Sequence, residues 1–186
     1  LKAYAQRNGV DLEKSATVLY GAPPLIAEKA RQGEIDAALE FWNFAAELEA
    51  KGFARAIEMT DVEKALGAKG DVIVTGYVFD ERFAQKNKHA LARFLSMMAA
   101  AKQQLATNDK AWAAAAARIG AKEQSVLDAL RKRYVAGIPR RSLAEEEADA
   151  AALYRVLREI GGEKLVGPGA ALDAGTFYKG HQDGAH

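Results

Sequence analysis

Hydrophobic residues in the first part of the chain recur with helical spacing in four short stretches. Each stretch ends at a glycine, which accepts the left-handed conformation that commonly follows the last turn of a helix. Pro23 and Pro24 open the second stretch, where proline fits because its missing N–H would have no helical partner. The pattern predicts helices over residues 1–8, 23–33, 41–52 and 60–67, the last opened by a capping box of Thr60 and Glu63.

Between these helices, β-branched and aromatic residues gather in short runs that are typical of strands. Residues 71–79 form the strongest of these runs, and Gly76 within it is expected to mark a bend. Residues 53–58 alternate with a period of two, which is typical of a half-buried strand. Together with residues 16–20 and 35–39, these runs predict an α/β fold, in which helices cover a mainly parallel sheet.

The pattern changes after Phe79, where helical spacing continues without a convincing strand. Asn108 is expected to cap one helix, and Ser142 with Glu145 predicts a capping box at the start of another. We expect four helices, over residues 88–106, 108–119, 122–136 and 142–161, and an irregular tail over residues 163–186. The change of pattern places a domain boundary near residue 70.

The charge balance of the chain excludes several classes of protein. Its 186 residues include 26 lysines and arginines against 25 aspartates and glutamates, a formal net charge of +1. Nucleic acid is therefore not expected as a partner, because no broad electrostatic attraction is present. The absence of cysteine excludes thiol catalysis, cysteine-ligated zinc, iron–sulfur clusters and disulfides. Basic residues 131–133 and 140–141 adjoin acidic helices, which predicts solvated surface or a contact for a partner protein.

No sequence motif of a known catalytic or phosphate-binding kind is present. The chain lacks G-x-S-x-G, H-E-x-x-H, the P-loop pattern and G-x-G-x-x-G. His89, His181 and His186 have no second ligand at helical spacing, so we expect surface histidines and no metal site. The sequence therefore predicts no catalytic residue, no metal and no cofactor.

The segment from Glu40 to Asn43 lies where a predicted strand ends and a helix begins. In open parallel sheets, ligands bind outside the carboxyl ends of the strands, close to helix N-termini. An acid, Glu40, two rings, Phe41 and Trp42, and an amide, Asn43, could line a small-molecule cleft there. The alternative is that Phe41 and Phe44 are part of the core and Trp42 covers the sheet edge.

Three further residues extend this candidate ligand site. Tyr20 and Gly21 occupy the equivalent edge one strand earlier, just before the prolines of the next helix. Tyr77 follows the glycine that is expected to bend the strongest strand, and a bend there suits a crossing between two lobes. Tyr20, Gly21 and Tyr77 are therefore included among the candidate ligand-binding residues.

The order of these segments resembles that of a family of periplasmic binding proteins. A strand leads to Gly21-Ala22-Pro23-Pro24, a helix leads to Gly33-Glu34-Ile35-Asp36-Ala37, and Trp42 follows soon afterwards. Further along, residues 76–90 lead into a long helix, and Trp112 stands in an alanine-rich one. Over nearly the whole chain this order resembles the solute-binding proteins of ABC importers, in particular the nitrate/sulfonate/taurine and thiamine-precursor binding group.

The resemblance implies a type II periplasmic-binding-protein fold, in which two α/β lobes with mainly parallel sheets enclose a solute. Residues 1–70 would form the second lobe, incomplete at its N-terminus. Residues 71–186 would form a crossover strand and a helical return into the first lobe, most of which would precede Leu1. The cleft contacts of the group fall on Glu40, Phe41, Trp42 and Asn43, with Trp42 as a flat apolar wall.

The resemblance also implies transport and no catalysis. Proteins of this group capture a sulfonate, nitrate, taurine or thiamine precursor in the periplasm and deliver it to a membrane permease. We therefore expect a periplasmic protein that is not an enzyme, with a small solute, an ABC permease and its own N-terminal lobe as partners. Two alternatives stay open. One is a small α/β enzyme that uses Glu40 as a general acid or base, and the other is a ligand-sensing module without transport.

Overall fold

The computed structural model describes residues 1–73 and 75–180, and within these ranges the chain is helical. It forms ten α-helices and no β-strand, so the predicted α/β fold with mainly parallel sheets is wrong for the described chain. The helices are α1 (Lys2–Arg7), α2 (Leu12–Ser15), α3 (Pro23–Arg31), α4 (Trp42–Ala50), α5 (Met59–Ala65), α6 (Glu81–Lys86), α7 (Lys88–Thr107), α8 (Asp109–Ile119), α9 (Gln124–Ala136) and α10 (Leu143–Val166).

The helices form two compact units, each assembled from segments that are distant in the sequence. The first unit comprises Leu1–Thr17, Ile57–Ala92 and the chain from Pro139 onwards, and the second comprises Val18–Ala56 and Arg93–Ile138. Helix α7 begins in the first unit and ends in the second. The boundary near residue 70 rests on the change of sequence pattern and stays a prediction.

The helices that the hydrophobic spacing predicts are present, and most of their end signals are confirmed. Asn108 caps α8 by accepting hydrogen bonds from the backbone N–H groups of Lys110 and Ala111. Ser142 and Glu145 form the predicted capping box at the start of α10. The capping box at Thr60 is wrong, because α5 begins one residue earlier, at Met59, with no side-chain cap. Two short helices, α2 and α6, are additional to the predicted set.

All four predicted strands are absent from the described residues. Side chains that a sheet would half bury are open to solvent instead, with Tyr20 93% and Val78 96% exposed. Strand propensity reflects packing on a pleated surface against neighbouring strands. In the described part of the chain these segments have no neighbouring strand, so their β-branched and aromatic side chains have no sheet surface to pack against. Val74, inside the strongest predicted strand, lies outside the described residues.

The beginning of the strongest predicted strand is tied to α10 by carboxylates. Asp149, which is buried, accepts hydrogen bonds from the backbone N–H groups of Lys69 at 2.9 Å and Gly70 at 3.0 Å. Glu146, also buried and nearly one turn earlier on α10, accepts a hydrogen bond from the Ile73 N–H at 3.1 Å. Backbone donors must find acceptors when they leave water. Here side chains of α10 supply the acceptors that a second strand would otherwise supply.

Each unit has its own buried residues. In the second unit, α4 packs against α3 and α9, and its core joins Ala46 of α4, Trp112 of α8, and Val126 and Leu130 of α9. In the first unit, α1 packs against α2 and α10. The buried apolar side chains of the first unit include Ala3, Ala5, Val62, Leu91 and Val156. The second unit therefore has the aromatic core, and the candidate ligand residues of α4 lie beside it.

Candidate ligand-binding site

The candidate site begins at the start of α4. Phe41 is the N-cap residue of the helix, in extended conformation and with no side-chain cap, and Trp42 and Asn43 are the first two helical residues. Phe41 remains 63% exposed, so the alternative that places it in the core is wrong. The change from extended backbone to helix at Phe41 positions the Trp42 indole on the first turn of α4, where it is 49% exposed.

Three aromatic rings of the second unit lie together. The ring of Tyr134 on α9 lies 6.3 Å from the Trp42 indole, centroid to centroid, and 6.0 Å from the Trp112 indole on α8. Both pairs are tilted, at 53° and 42°, which is within the range of favourable aromatic contacts. Tyr134 also packs against the core of the unit. Tyr134 therefore connects the two indoles and fixes them relative to each other.

A cavity of about 280 Å³ lies between α4, α8 and α9. We call it the indole cavity, and its lining residues are Trp42, Asn43, Glu47, Trp112, Ile119 and Leu130. Asn43 and Glu47 are four residues apart on α4, so both side chains face the same side of the helix. The cavity thus combines an apolar wall with one amide and one carboxylate. Its volume is close to the lower end of the range for small-molecule sites, which begins at about 300 Å³.

The two carboxylates on this part of α4 differ in their surroundings. The Glu47 side chain makes no hydrogen bond or ion pair with any described residue. Glu49, by contrast, accepts hydrogen bonds from Nε of Arg55 at 2.8 Å and Nε of Arg133 at 2.9 Å. The hydrogen bonds from Arg55 and Arg133 lower the pKa of Glu49 from 4.5 to about 2. The Glu49 carboxylate is therefore occupied by Arg55 and Arg133, whereas the Glu47 carboxylate can interact with a ligand.

Trp112 contributes a polar group that the protein leaves unused. Its side chain is buried, and its Nε1 atom has no hydrogen-bond partner among the described residues. A buried donor without an acceptor costs about 1–3 kcal/mol. An apolar side chain without an N–H group at this position would not carry this penalty. The unpaired donor therefore belongs to a residue that lines the cavity.

Glu40 precedes the helix and has a partly buried carboxyl group. Its Oε1 atom is enclosed without a hydrogen-bond partner among the described residues. Burial raises the pKa of Glu40, and the backbone N–H of Phe41 opposes the increase only in part. Glu40 is not among the residues that line the indole cavity. It is therefore an acid of raised pKa beside α4, outside the cavity itself.

The other sequence-predicted site residues do not line the indole cavity. Tyr20 projects into solvent, and Gly21 precedes α3, where a side chain at its position would meet Ile26. Phe41 is exposed at the N-cap of α4. Tyr77 belongs to the first unit and is half exposed. Of the seven candidates, the structure brings Trp42 and Asn43 together on one cavity, and the ligand roles of all seven stay predictions.

Four residues that line the indole cavity are not among the sequence-predicted ligand residues. The sequence pattern assigns Trp112 and Ile119 to one predicted helix, residues 108–119, and Leu130 to the next, residues 122–136, with no ligand role for any of them. Glu47 had a usable signal, since it stands one helical turn after Asn43 and shares its face. Trp112 had one too, because the chain has only two tryptophans and the other is Trp42.

A second cavity, of about 410 Å³, lies in the first unit, and the arginine and the two carboxylates that line it already have partners. Its lining includes Lys69, Arg141, Glu145 and Asp149. Arg141 Nη1 donates a hydrogen bond to Asp149 at 2.6 Å, and Glu145 completes the capping box. Burial raises the pKa of Asp149, but hydrogen bonds from Lys69, Arg141 and Gly70 outweigh it and hold the pKa below its usual value. Arg141 and Asp149 therefore form a structural ion pair at this cavity.

The described residues contain no group of histidines or carboxylates with the arrangement of a metal site. His89 is the second residue of the long helix α7, and His181 and His186 lie outside the described residues. Within the described part of the chain, no helix is both long enough and apolar enough to cross a membrane.

No protein-family model matches the chain and no curated protein matches it, so the resemblance to periplasmic binding proteins of ABC importers stays a prediction.

Proposed function

We propose that the chain is the substrate-binding component of an ABC-type importer and holds a small polar solute in the indole cavity. The observation that carries the proposal is the meeting of Trp42 and Asn43, singled out from the sequence, with Trp112 on one cavity. An apolar wall with a few directional polar groups is the usual form of a small-molecule site. Trp42 supplies apolar surface, and Asn43 supplies a donor and an acceptor.

The transport part of the proposal is supported by the order of motifs along the chain. That order resembles binding proteins for sulfonates, nitrate, taurine and thiamine precursors, which work in the periplasm and pass their solute to a permease. Binding and release require no bond to be made or broken. The importer proposal predicts that cells lacking this protein, but retaining the permease, lose uptake of the bound solute. Unchanged uptake, with binding intact, would favour a ligand-sensing module.

Tryptophan fluorescence gives a direct test of solute binding. The chain has two tryptophans and both line the indole cavity, so the intrinsic emission reports on that cavity. Titration with methanesulfonate, nitrate, taurine, choline and an aminopyrimidine should give a saturable change with at least one of them. The same solute should raise the thermal midpoint, because a ligand at 100 times its Kd stabilises by about 2.7 kcal/mol.

Variants at two neighbouring residues distinguish binding in the indole cavity from binding at the exposed surface beside it. Trp42→Ala should abolish the thermal shift, since Trp42 lines the cavity. Phe41→Ala is the matched control, because Phe41 is an exposed ring one residue away that does not line the cavity. Equal loss in both variants, or no loss in either, would remove the indole cavity as the binding site.

A specific observation also supports the enzyme alternative. The raised pKa and enclosed oxygen of Glu40 are features of general acids and bases. Mass spectrometry of the bound solute after long incubation distinguishes the two functions. A carrier returns the solute unchanged, whereas an enzyme yields a product whose formation stops in Glu40→Gln.

A further inference from the structure

We propose that the solute of the indole cavity carries an alkylated ammonium group, an inference that rests on the proposed function and narrows it. The cavity brings the indoles of Trp42 and Trp112 together with the carboxylate of Glu47. Aromatic faces attract cations through their quadrupole, and tryptophan does so most strongly. Groups of aromatic rings are therefore effective in binding quaternary ammonium ions, whose weak hydration makes leaving water less costly than for a small cation.

The charge of the cavity favours the same class of ligand. Glu47 is the one ionisable residue among those that line the cavity, and no described side chain or backbone group pairs with its carboxylate. An unpaired carboxylate next to two indoles offers a counter-ion to a cation and repels nitrate or a sulfonate. Glu49, two residues along the same helix, cannot take this role because Arg55 and Arg133 occupy it.

The geometry of the rings adds preorganisation. Tyr134 contacts both indoles, with centroid distances of 6.3 and 6.0 Å, and is itself packed against the core. The two indoles are therefore held in place before a ligand arrives, which lowers the entropy that binding costs. The cavity volume of about 280 Å³ suits a small head group with a short tail, and the Asn43 amide can hydrogen-bond a polar atom of that tail.

The test compares a cation with its uncharged isostere in the unmodified protein. Choline and 3,3-dimethylbutan-1-ol have nearly the same shape and differ in the positive nitrogen. Tryptophan fluorescence at constant ionic strength should show saturable binding of choline and of tetramethylammonium. The alcohol should bind at least about tenfold more weakly, because it lacks the cation–π and ionic attraction.

Two charge-removing variants locate the attraction. Glu47→Gln keeps the shape of the side chain and should weaken choline binding by roughly three- to tenfold. Asp36→Asn is the matched control, since Asp36 belongs to the same unit, is exposed and does not line the cavity. It removes the same charge and should leave choline binding unchanged. Circular dichroism verifies that both variants keep the wild-type helix content, and the comparison of choline with the alcohol needs no variant.

The outcomes separate this inference from the proposed function. Equal affinity for choline and the alcohol would overturn the cation preference, as would an equal loss in Glu47→Gln and Asp36→Asn. Tighter binding of methanesulfonate or nitrate than of choline would overturn the inference and leave solute binding intact. If none of the solutes gives a saturable change, solute binding in the indole cavity itself is contradicted.

Discussion

Arg133 on α9 donates hydrogen bonds to both carboxylate oxygens of Glu49 on α4, with 2.9 Å between Nε and Oε2. Arg55 donates to the same carboxylate at 2.8 Å. Because Tyr134 follows Arg133 on α9, and Trp42 begins α4, this ion-pair cluster joins the two helices that carry the ring contact between Trp42 and Tyr134. The stability of the indole cavity is thereby linked to the charge of Glu49.

Acid should destabilise the second unit through Glu49. Its pKa is about 2 in the folded protein and 4.5 without its partners, so its stabilising contribution is complete above about pH 4.5 and is lost as the pH falls towards 2. The loss should be about 2 kcal/mol, after allowance for the partial exposure of the cluster. Urea denaturation at pH 6 and pH 3, followed by tryptophan emission, measures the part of this loss that falls above pH 3, which is more than half of it because folded Glu49 is still largely ionised at pH 3.

Glu49→Gln supplies the control for this pH dependence. The variant should be less stable than the wild type at pH 6 and should lose less stability between pH 6 and pH 3. An identical pH dependence in the two proteins would show that Glu49 does not cause the acid sensitivity.

Replacing Asp149 by alanine should destabilise the first unit. Its carboxylate accepts hydrogen bonds from Lys69 N–H, Gly70 N–H and Arg141, so its loss leaves partly buried donors without an acceptor. The expected cost is about 3 kcal/mol, at the lower end for breaking a buried ion pair. Hydrogen exchange at the Lys69 and Gly70 amides should accelerate with it. Glu13→Ala, which breaks an exposed pair with Lys2, should cost no more than about 0.5 kcal/mol. Equal costs for the two variants would contradict the role of Asp149.

Removing the cap of α8 should loosen Trp112. Asn108 accepts hydrogen bonds from two backbone N–H groups in the first turn, and Trp112 lies one turn further along. Asn108→Ala should therefore cost about 1 kcal/mol, whereas Asn108→Asp keeps an acceptor and should retain most of the stability. Thermal denaturation compares the two. A variant with alanine as stable as the one with aspartate would show that the cap is not needed.

Helices were predictable from the sequence because their signals are local. The cap at Asn108 and the capping box at Ser142 use residues within one turn, and the left-handed Gly33 and Gly120 lie within two residues of the ends of α3 and α8. The strands were not predictable in the same way, because a strand needs a neighbour that local sequence does not specify. The exposed Val78 has strand propensity and no strand beside it in the described chain.

Of the two polar residues that line the indole cavity, the sequence singled out Asn43 and not Glu47. Sequence patterns reveal residues that are close together along the chain better than residues that only the fold brings together. Asn43 was found because it follows Trp42 directly. Trp112 is brought to the cavity by tertiary packing of α8, which no local pattern specifies.

The ion-pair partners of two arginines were not predictable for the same reason, because local sequence does not specify tertiary contacts. Arg133 and Arg141 were predicted as solvated surface or a partner contact, yet each pairs with a carboxylate of its own unit, Glu49 and Asp149.

Fluorine NMR reports directly on whether a small solute binds in the indole cavity, because both tryptophans line it. Protein labelled with 5-fluorotryptophan should give two resonances, one for Trp42 and one for Trp112, assigned by Trp42→Phe. Choline should shift both resonances along one saturable curve, with a midpoint equal to that from intrinsic fluorescence. If choline raises the thermal midpoint of the protein while neither fluorine resonance moves, the solute binds elsewhere, and solute binding in the indole cavity is contradicted.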